Sequence, residues 1–323
     1  MVIVSPGDYG PVVFPPDDRG PIVVVADVTA QLNSESAPGA VVIDAHDGPV
    51  ALDISGQSWI VIDGVTVRGA TYAGIRVKGS SNITIQNSTA KHNTGDGIRF
   101  EDSVSGAVFD NLVFLNNGSG IRTVGTSNLR VINNTATRND GAGMIFIGDA
   151  SHPSGGILFE NNIFNENAQV GIAVVSSDAQ GNFNLNTDGY VGIQPGRSDF
   201  TKDNIPNLDP LFRFPDTVYG EDFGFFLTRG SLAIDAGDPS TDFDLIDVIQ
   251  PPSCPSAARC DRVTQVDGRP DEPPVDLGFH YPELVLPQPT PTRLPTNTRV
   301  ATSVRTTPTR TPTRTLTPTR TPH

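Results

Sequence analysis

Gly-Ile or Gly-Met recurs at Gly74-Ile75, Gly97-Ile98, Gly120-Ile121 and Gly143-Met144, three successive intervals of 23 residues, then at Gly171-Ile172 after 28. The same beat runs through Gly95, Gly118 and Gly141, and through Asn93, Asn116 and Asn139. A fixed period of this size means a solenoid, in which each repeat buries its apolar side against its neighbours.

Within one period the pattern is strand, turn, strand, tight turn, strand. Residues 74–78 and 82–87 alternate, with Ile75, Val77, Ile83 and Ile85 inward, and 88–92 supply a third short strand before Asn93-Thr94-Gly95. A leucine-rich repeat has a similar period, but it needs Leu at fixed spacing and a helical or compact outer segment; these repeats are Leu-poor and use Gly and Asn instead. About six coils are expected between residues 20 and 180, stacked ~4.8 Å apart. The stretch to 28 predicts an outward loop around His152-Pro153-Ser154.

Composition narrows the function classes. Residues 287–323 hold six Arg and no acid, so the remainder has 16 basic against 36 acidic residues, a net charge of −20. A body this acidic argues against a nucleic-acid partner. No apolar run reaches the ~20 residues a membrane span needs. Cys254 and Cys260, separated by five residues, suit a local disulfide in an exported protein; two unpaired loop thiols are the alternative. Met1-Val2-Ile3-Val4 runs straight into a strand-and-turn pattern, so the leader of an exported chain is expected upstream.

The single turns, such as the stretch from Asp96 to Asn117, resemble the right-handed parallel β-helix repeats of the pectate-lyase-like superfamily. The N-terminal stretch from Ser5 to Ala70 resembles the opening coil of relatives of family 9 and family 6 polysaccharide lyases. Residues 207–283 resemble a closing segment of secreted bacterial β-helix proteins with variable surface anchors. The resemblance implies an all-β chain, a right-handed single-stranded parallel β-helix over 1–199. A C-terminal cap follows over 200–286, its apolar surface supplied by Phe212, Phe214, Phe223, Phe225, Phe226 and Leu227. The Pro/Thr/Arg-rich remainder, 287–323, is expected to be a disordered, extended linker. Such a protein is expected outside the cell or on its surface, as a monomer whose partner is an extracellular polysaccharide or cell-wall glycan.

A 23-residue shift sorts the outward residues into columns. One reads Asp53, Arg76, Arg99, Arg122, Ile145, Ala173 and the next Ser55, Lys78, Glu101, Val124, Ile147, Val175. These columns are either a solvated ionic ladder, Asp53 with Arg76 and Lys78 with Glu101, or a groove for an acidic sugar chain clamped by Arg. The reaction implied by the resemblance is β-elimination on a uronate. Lys78 would be the base, Arg99 or Arg122 would neutralise the sugar carboxylate, Arg76, Lys91 and His92 would bind substrate, and Asp96, Glu101 and Asp102 would hold Ca²⁺. Against catalysis, the R-x-P-x-x-R and W-x-D-H signatures of pectate lyases are absent, as are the polygalacturonase Asp pair and GHG and the epimerase Y-G-x-D-P-H. A non-catalytic, adhesin-like surface domain is therefore the alternative. The acidic run Asp235, Asp238, Asp242, Asp244, Asp247 is a second candidate for Ca²⁺, and Asn87, Asn111, Asn134 and Asn162 are expected to stack at a bend.

Overall fold

The computed structural model of the protein describes residues 1–15, 21–27, 40–148, 151, 154–191, 204–206, 208–213, 225–228, 230–238, 262–263, 276–278 and 281–282. The chain divides into two units, Met1–Leu286 and Pro287–His323; the second lies outside the described residues, as do Cys254, Cys260 and the tip of the loop expected at His152 and Pro153.

Among the described residues the regular elements are all strands, and three parallel sheets carry the fold. Sheet A stacks Val2–Val4, Ile22–Ala26, Ser58–Asp63, Ser81–Gln86, Val104–Phe109, Ser127–Ile132, Ser154–Glu160 and Ser177–Asn182. Sheet B stacks nine strands from Gly7–Tyr9 to Ile205–Pro206. Sheet C stacks Val12–Val13, Val50–Ser55, Ala73–Lys78, Asp96–Glu101, Ile121–Val124, Met144–Ile147, Ile172–Val175 and Tyr190–Val191. The chain visits A, B and C in turn, making a parallel β-helix of about seven turns. The turn beyond the six expected between residues 20 and 180 is the N-terminal one, Val2–Val4, Gly7–Tyr9 and Val12–Val13; the register of Ile22–Ala26 with 60–63 jumps by 38 residues and so escapes the 23-residue period.

The interior is built from columns in register, as in Leu52, Ile75, Ile98, Ile121, Met144 and Ile172, each nearly or wholly buried. The recurring glycines follow from how closely the coils stack. A Cβ at Gly74, Gly97, Gly120 or Gly143 would stand 2.6–2.8 Å from the carbonyl oxygen of the equivalent glycine in the next coil. Their backbone is ordinary, so what is required here is space.

Each coil turns three corners on residues with positive φ, such as Gly79 and Asp102 from C to A, Asn87 and Asn133 from A to B, and His92 and Leu115 from B to C. A buried polar residue follows the corner. After the A-to-B corner, Ser88, Asn111, Asn134, Asn162, Asn184 and Asn204 form a ladder in which each Oδ1 accepts the backbone N–H one coil back. A second ladder runs Asn93, Asn116, Asn139, Asn167 and ends on the carboxylate of Asp188. Asn87 is not a rung. It occupies the corner itself, and its amide donates to Asp63 Oδ1 at 2.6 Å.

The outer face of sheet B is covered. Leu112, Phe114, Ile163 and Leu185 point outward yet are buried, because Phe212, Phe225, Leu227, Ala233 and Leu277 pack on them. The Phe225 ring lies 4.9 Å from Phe114 and 5.5 Å from Phe212. Gly278 N–H donates to Asn161 O and Asp238 N–H to Asn161 Oδ1, fastening the segment down. Thus Phe212, Phe225, Leu227, Ala233 and Leu277 lie along a flank, while Ile205–Pro206 extends sheet B at its end. Phe214 and Phe223 lie outside the described residues.

Candidate functional site

With sheet B covered, sheet C keeps an open outer wall. The register aligns Asp53, Arg76, Arg99, Arg122, Ile145 and Ala173 side by side, and Ser55, Lys78, Glu101, Val124, Ile147 and Val175 beside them. Both expected columns are therefore present as real neighbours.

Their contacts differ from a simple ladder. Asp53 takes Arg76 through two bonds, Nε to Oδ1 at 3.2 Å and Nη2 to Oδ2 at 2.8 Å, while Ser55 Oγ donates to Oδ1 at 2.6 Å. Arg99 reaches sideways within its own strand, donating from Nη1 to Asp96 Oδ2 at 2.8 Å and from Nε to Glu101 Oε1 at 2.7 Å. Tyr72, in the turn before Ala73–Lys78, donates its hydroxyl to the same Glu101 oxygen, and the Arg99 guanidinium stacks 4.5 Å over the Tyr72 ring. Arg122 donates from Nε to Asp96 Oδ2 at 2.8 Å and from Nη2 to Ser119 Oγ at 3.4 Å. The other Asp96 oxygen accepts the Ser119 backbone N–H at 2.8 Å.

Burial pushes the Glu101 carboxyl up, but the Tyr72 hydroxyl, the Arg99 guanidinium and the charge of Lys78 outweigh it and hold the group below the ordinary glutamate range. Burial and the hydrogen bond to Glu101 push the Tyr72 phenol up, so it stays a donor near neutral pH. Burial disfavours the charge on Arg99, and Asp96 and Glu101 more than restore it.

The residues singled out in the sequence fall into three places. Arg76, Lys78, Arg99, Arg122, Asp96 and Glu101 come together on this wall. Asp102 stands at the C-to-A corner. Lys91 and His92 belong to sheet B and its corner, against Phe114, with the Lys91 ammonium 5.6 Å from the ring centroid. Tyr72 was not among the candidates, since it sits outside the alternating strand positions; its place one residue before the strand is the only signal it offers.

The expected Ca²⁺ ligands do not fit a metal. Both oxygens of Asp96 and Oε1 of Glu101 accept from guanidinium, phenol and backbone donors. No group of three or more His, Cys, Asp or Glu among the described residues is placed to hold an ion. Of the second acidic run, Asp235 and Asp238 are described and the rest are not.

Four cations here face four carboxylates, counting Asp102, so the wall is a stiff hydrogen-bonding surface more than a bare positive patch. Arg122 is only partly compensated. It shares its one carboxylate oxygen with Arg99, and among the described residues its Nη1 makes no hydrogen bond.

Among the described residues no helix is long and apolar enough to cross a membrane. No curated protein matches the chain. Among solved structures, the periplasmic alginate epimerase AlgG is similar at 12% identity and a TM-score of 0.35, over 64% of this chain and 44% of that one. Pectate lyase Pel9A is similar at 15% identity and a TM-score of 0.30, over 73% of this chain and 82% of that one. Tailspike protein 3 of bacteriophage CBA120 is similar at 17% identity and a TM-score of 0.33, over 67% of this chain and 33% of that one. The chain thus spans less than half of the epimerase and of the tailspike. The family described as "Right handed beta helix region" matches residues 50–200, in keeping with the parallel β-helix fold that the three-sheet register shows.

Proposed function

We propose that the chain binds a polysaccharide bearing carboxylates along the outer wall of sheet C, in an extracellular setting. The observation that supports this is the shared oxygen of Asp96: two guanidiniums donate to it at 2.8 Å, and Arg122, its side chain 26% exposed, has donors left over. A ligand carboxylate satisfies such a guanidinium and adds charge-assisted hydrogen bonds. Lys78, at the exposed end of its strand, supplies a second cation two strands away, ~10 Å along the column.

The rest of the network stiffens the wall. Arg99 is held by two carboxylates and a ring, so it orients Asp96 and Glu101 and is itself no clamp for substrate. The reading is one of binding, and β-elimination by Lys78 remains the chemistry to be tested on the same protein. Calorimetric titration of the full chain with pectate, alginate and neutral glycans is the deciding measurement. Binding to polyuronates weakened about tenfold by Arg122→Gln, the worth of one charge-assisted bond, is the expected result. No binding to any of them, or affinity untouched by Arg122→Gln and Lys78→Ala, overturns it. Growth of unsaturated-uronate absorbance would add a lyase step.

A further inference from the structure

Five consecutive strands of sheet A carry, near their start and in one column, a residue in the left-handed region: Trp59 (φ 61), Asn82 (54), Ser105 (59), Asn128 (54) and Gly156 (65). Asn, Ser and Gly suit that conformation; a bulky aromatic residue there is an outlier. Packing does not explain it either, because Trp59 is 58% exposed. Neither backbone preference nor burial selects a tryptophan at this position, and strained residues of this kind cluster at ligand contacts.

Trp59 lies just around the corner from the charged wall. Ser55, the last outward residue of Val50–Ser55, is followed by the corner residue Gly56, the buried Gln57, then Ser58 and Trp59. Tyr72 flanks the opposite end of the same strands. The Tyr72 ring lies on the wall itself, over Arg99 and reaching Glu101, while Trp59 stands beyond the corner at the Ser55 and Lys78 end of the strands.

The surroundings of Trp59 select its occupant. The Oγ atoms of Ser58 and Ser81 pair at 2.8 Å beside it, and Asn82 stands next in the column. The nearest other exposed apolar residue of that strand start is Val104, two strands away. One flat ring in a hydroxyl and amide surround is far short of the ~800 Å² per partner of a protein interface. It suits a ligand with a flat apolar face and a polar rim. Resting on the glycan reading above, we propose that Trp59 is the platform on which a pyranose ring of that glycan stacks. The sugar chain then passes from the carboxylate-binding wall of sheet C, by way of Lys78, around the C-to-A corner to Trp59.

Trp59 is the single tryptophan of the chain, so its emission reports this place alone. The full chain is titrated with short oligouronates and neutral oligosaccharides, read by Trp59 emission and in parallel by calorimetry. The expected result is a saturable emission change with the calorimetric midpoint, affinity lowered about tenfold by Trp59→Ala, and most of it kept by Trp59→Tyr. Trp59→Asn, which installs the residue of the neighbouring coils, is expected to raise the unfolding midpoint by about 2–4 °C while weakening binding. Calorimetric binding that Arg122→Gln weakens, with Trp59 emission flat and Trp59→Ala unchanged, would overturn the platform and leave the glycan reading standing. No binding by either readout overturns both.

Discussion

A buried asparagine is tolerable only when its amide and carbonyl are both satisfied. Asn134 meets that condition fully. Its Oδ1 accepts from Asn111 N and Nδ2, and its Nδ2 donates to Val108 O, Ile132 O and Asn162 Oδ1. Asn134→Ala strands several buried partners at once and is expected to cost about 3 kcal/mol or more in denaturant unfolding. Asn87→Gly, at a corner where glycine is at ease, is expected to stay within about 1 kcal/mol. The sequence pattern grouped these two residues, because an interval of 24 looks like a period of 23 with a slip; the one-residue difference separates a solvent-side corner from an interior rung. Glu101 carries a pH expectation at the same scale. Its folded carboxyl sits below the ordinary range, so its contribution is present above the ordinary glutamate value of about 4.3 and is lost as pH falls through the lower, folded value. The midpoint of thermal unfolding should therefore fall more steeply from pH 5 to pH 3 in the native chain than in Glu101→Gln. Parallel slopes would show that the Tyr72–Glu101–Arg99 contact adds nothing to stability.

At the scale of the element, the two outer walls obey different rules. Sheet C keeps the alternation of apolar inside and polar outside through Arg76, Arg99 and Arg122, which is why a 23-residue shift could read its columns directly. Sheet B breaks it at Leu112, Phe114, Ile163 and Leu185, and the break is the trace of a covering segment. Those apolar positions were visible in the sequence, but their partners were not, since the partners are 27 to 165 residues away and have no repeat to place them. Contacts made within the period were legible; contacts made across it, including Tyr72 with Glu101, were not. Phe225 tests the cover. It is buried against Phe114 and Phe212, and Phe225→Ala is expected to cost about 3–5 kcal/mol of stability and to open residues 204–286 to limited proteolysis before the coils unfold. Equal protease resistance in the variant would show that the cover is held by other contacts.

For the molecule as a whole, stability should be close to a sum over coils and the interfaces between them, and the 23-residue period makes this testable by excision. Removing residues 97–119 joins Asp96 to Gly120 and takes out one full period. Every column then closes on an equivalent residue: Ile121 replaces Ile98 beneath Ile75, Arg122 takes the position of Arg99 beside Asp96, and Asn139 takes the position of Asn116 as the rung below Asn93. What has no like replacement is Leu112 and Phe114, both under the C-terminal cover, and the core residue Phe100; at their positions stand Thr135, Thr137 and Thr123, and Val124 stands at that of Glu101. The shortened chain is therefore expected to fold, with an unchanged β-type circular dichroism spectrum and an unfolding midpoint lower by roughly 10 °C, in line with three lost apolar contacts. Removing residues 97–118, one residue fewer, shifts the following strands by one position and turns their apolar side chains outward. That chain is expected not to fold. Equal behaviour of the two deletions would mean that the coils are not held by register, and with it the reading of the outer wall in columns would fail.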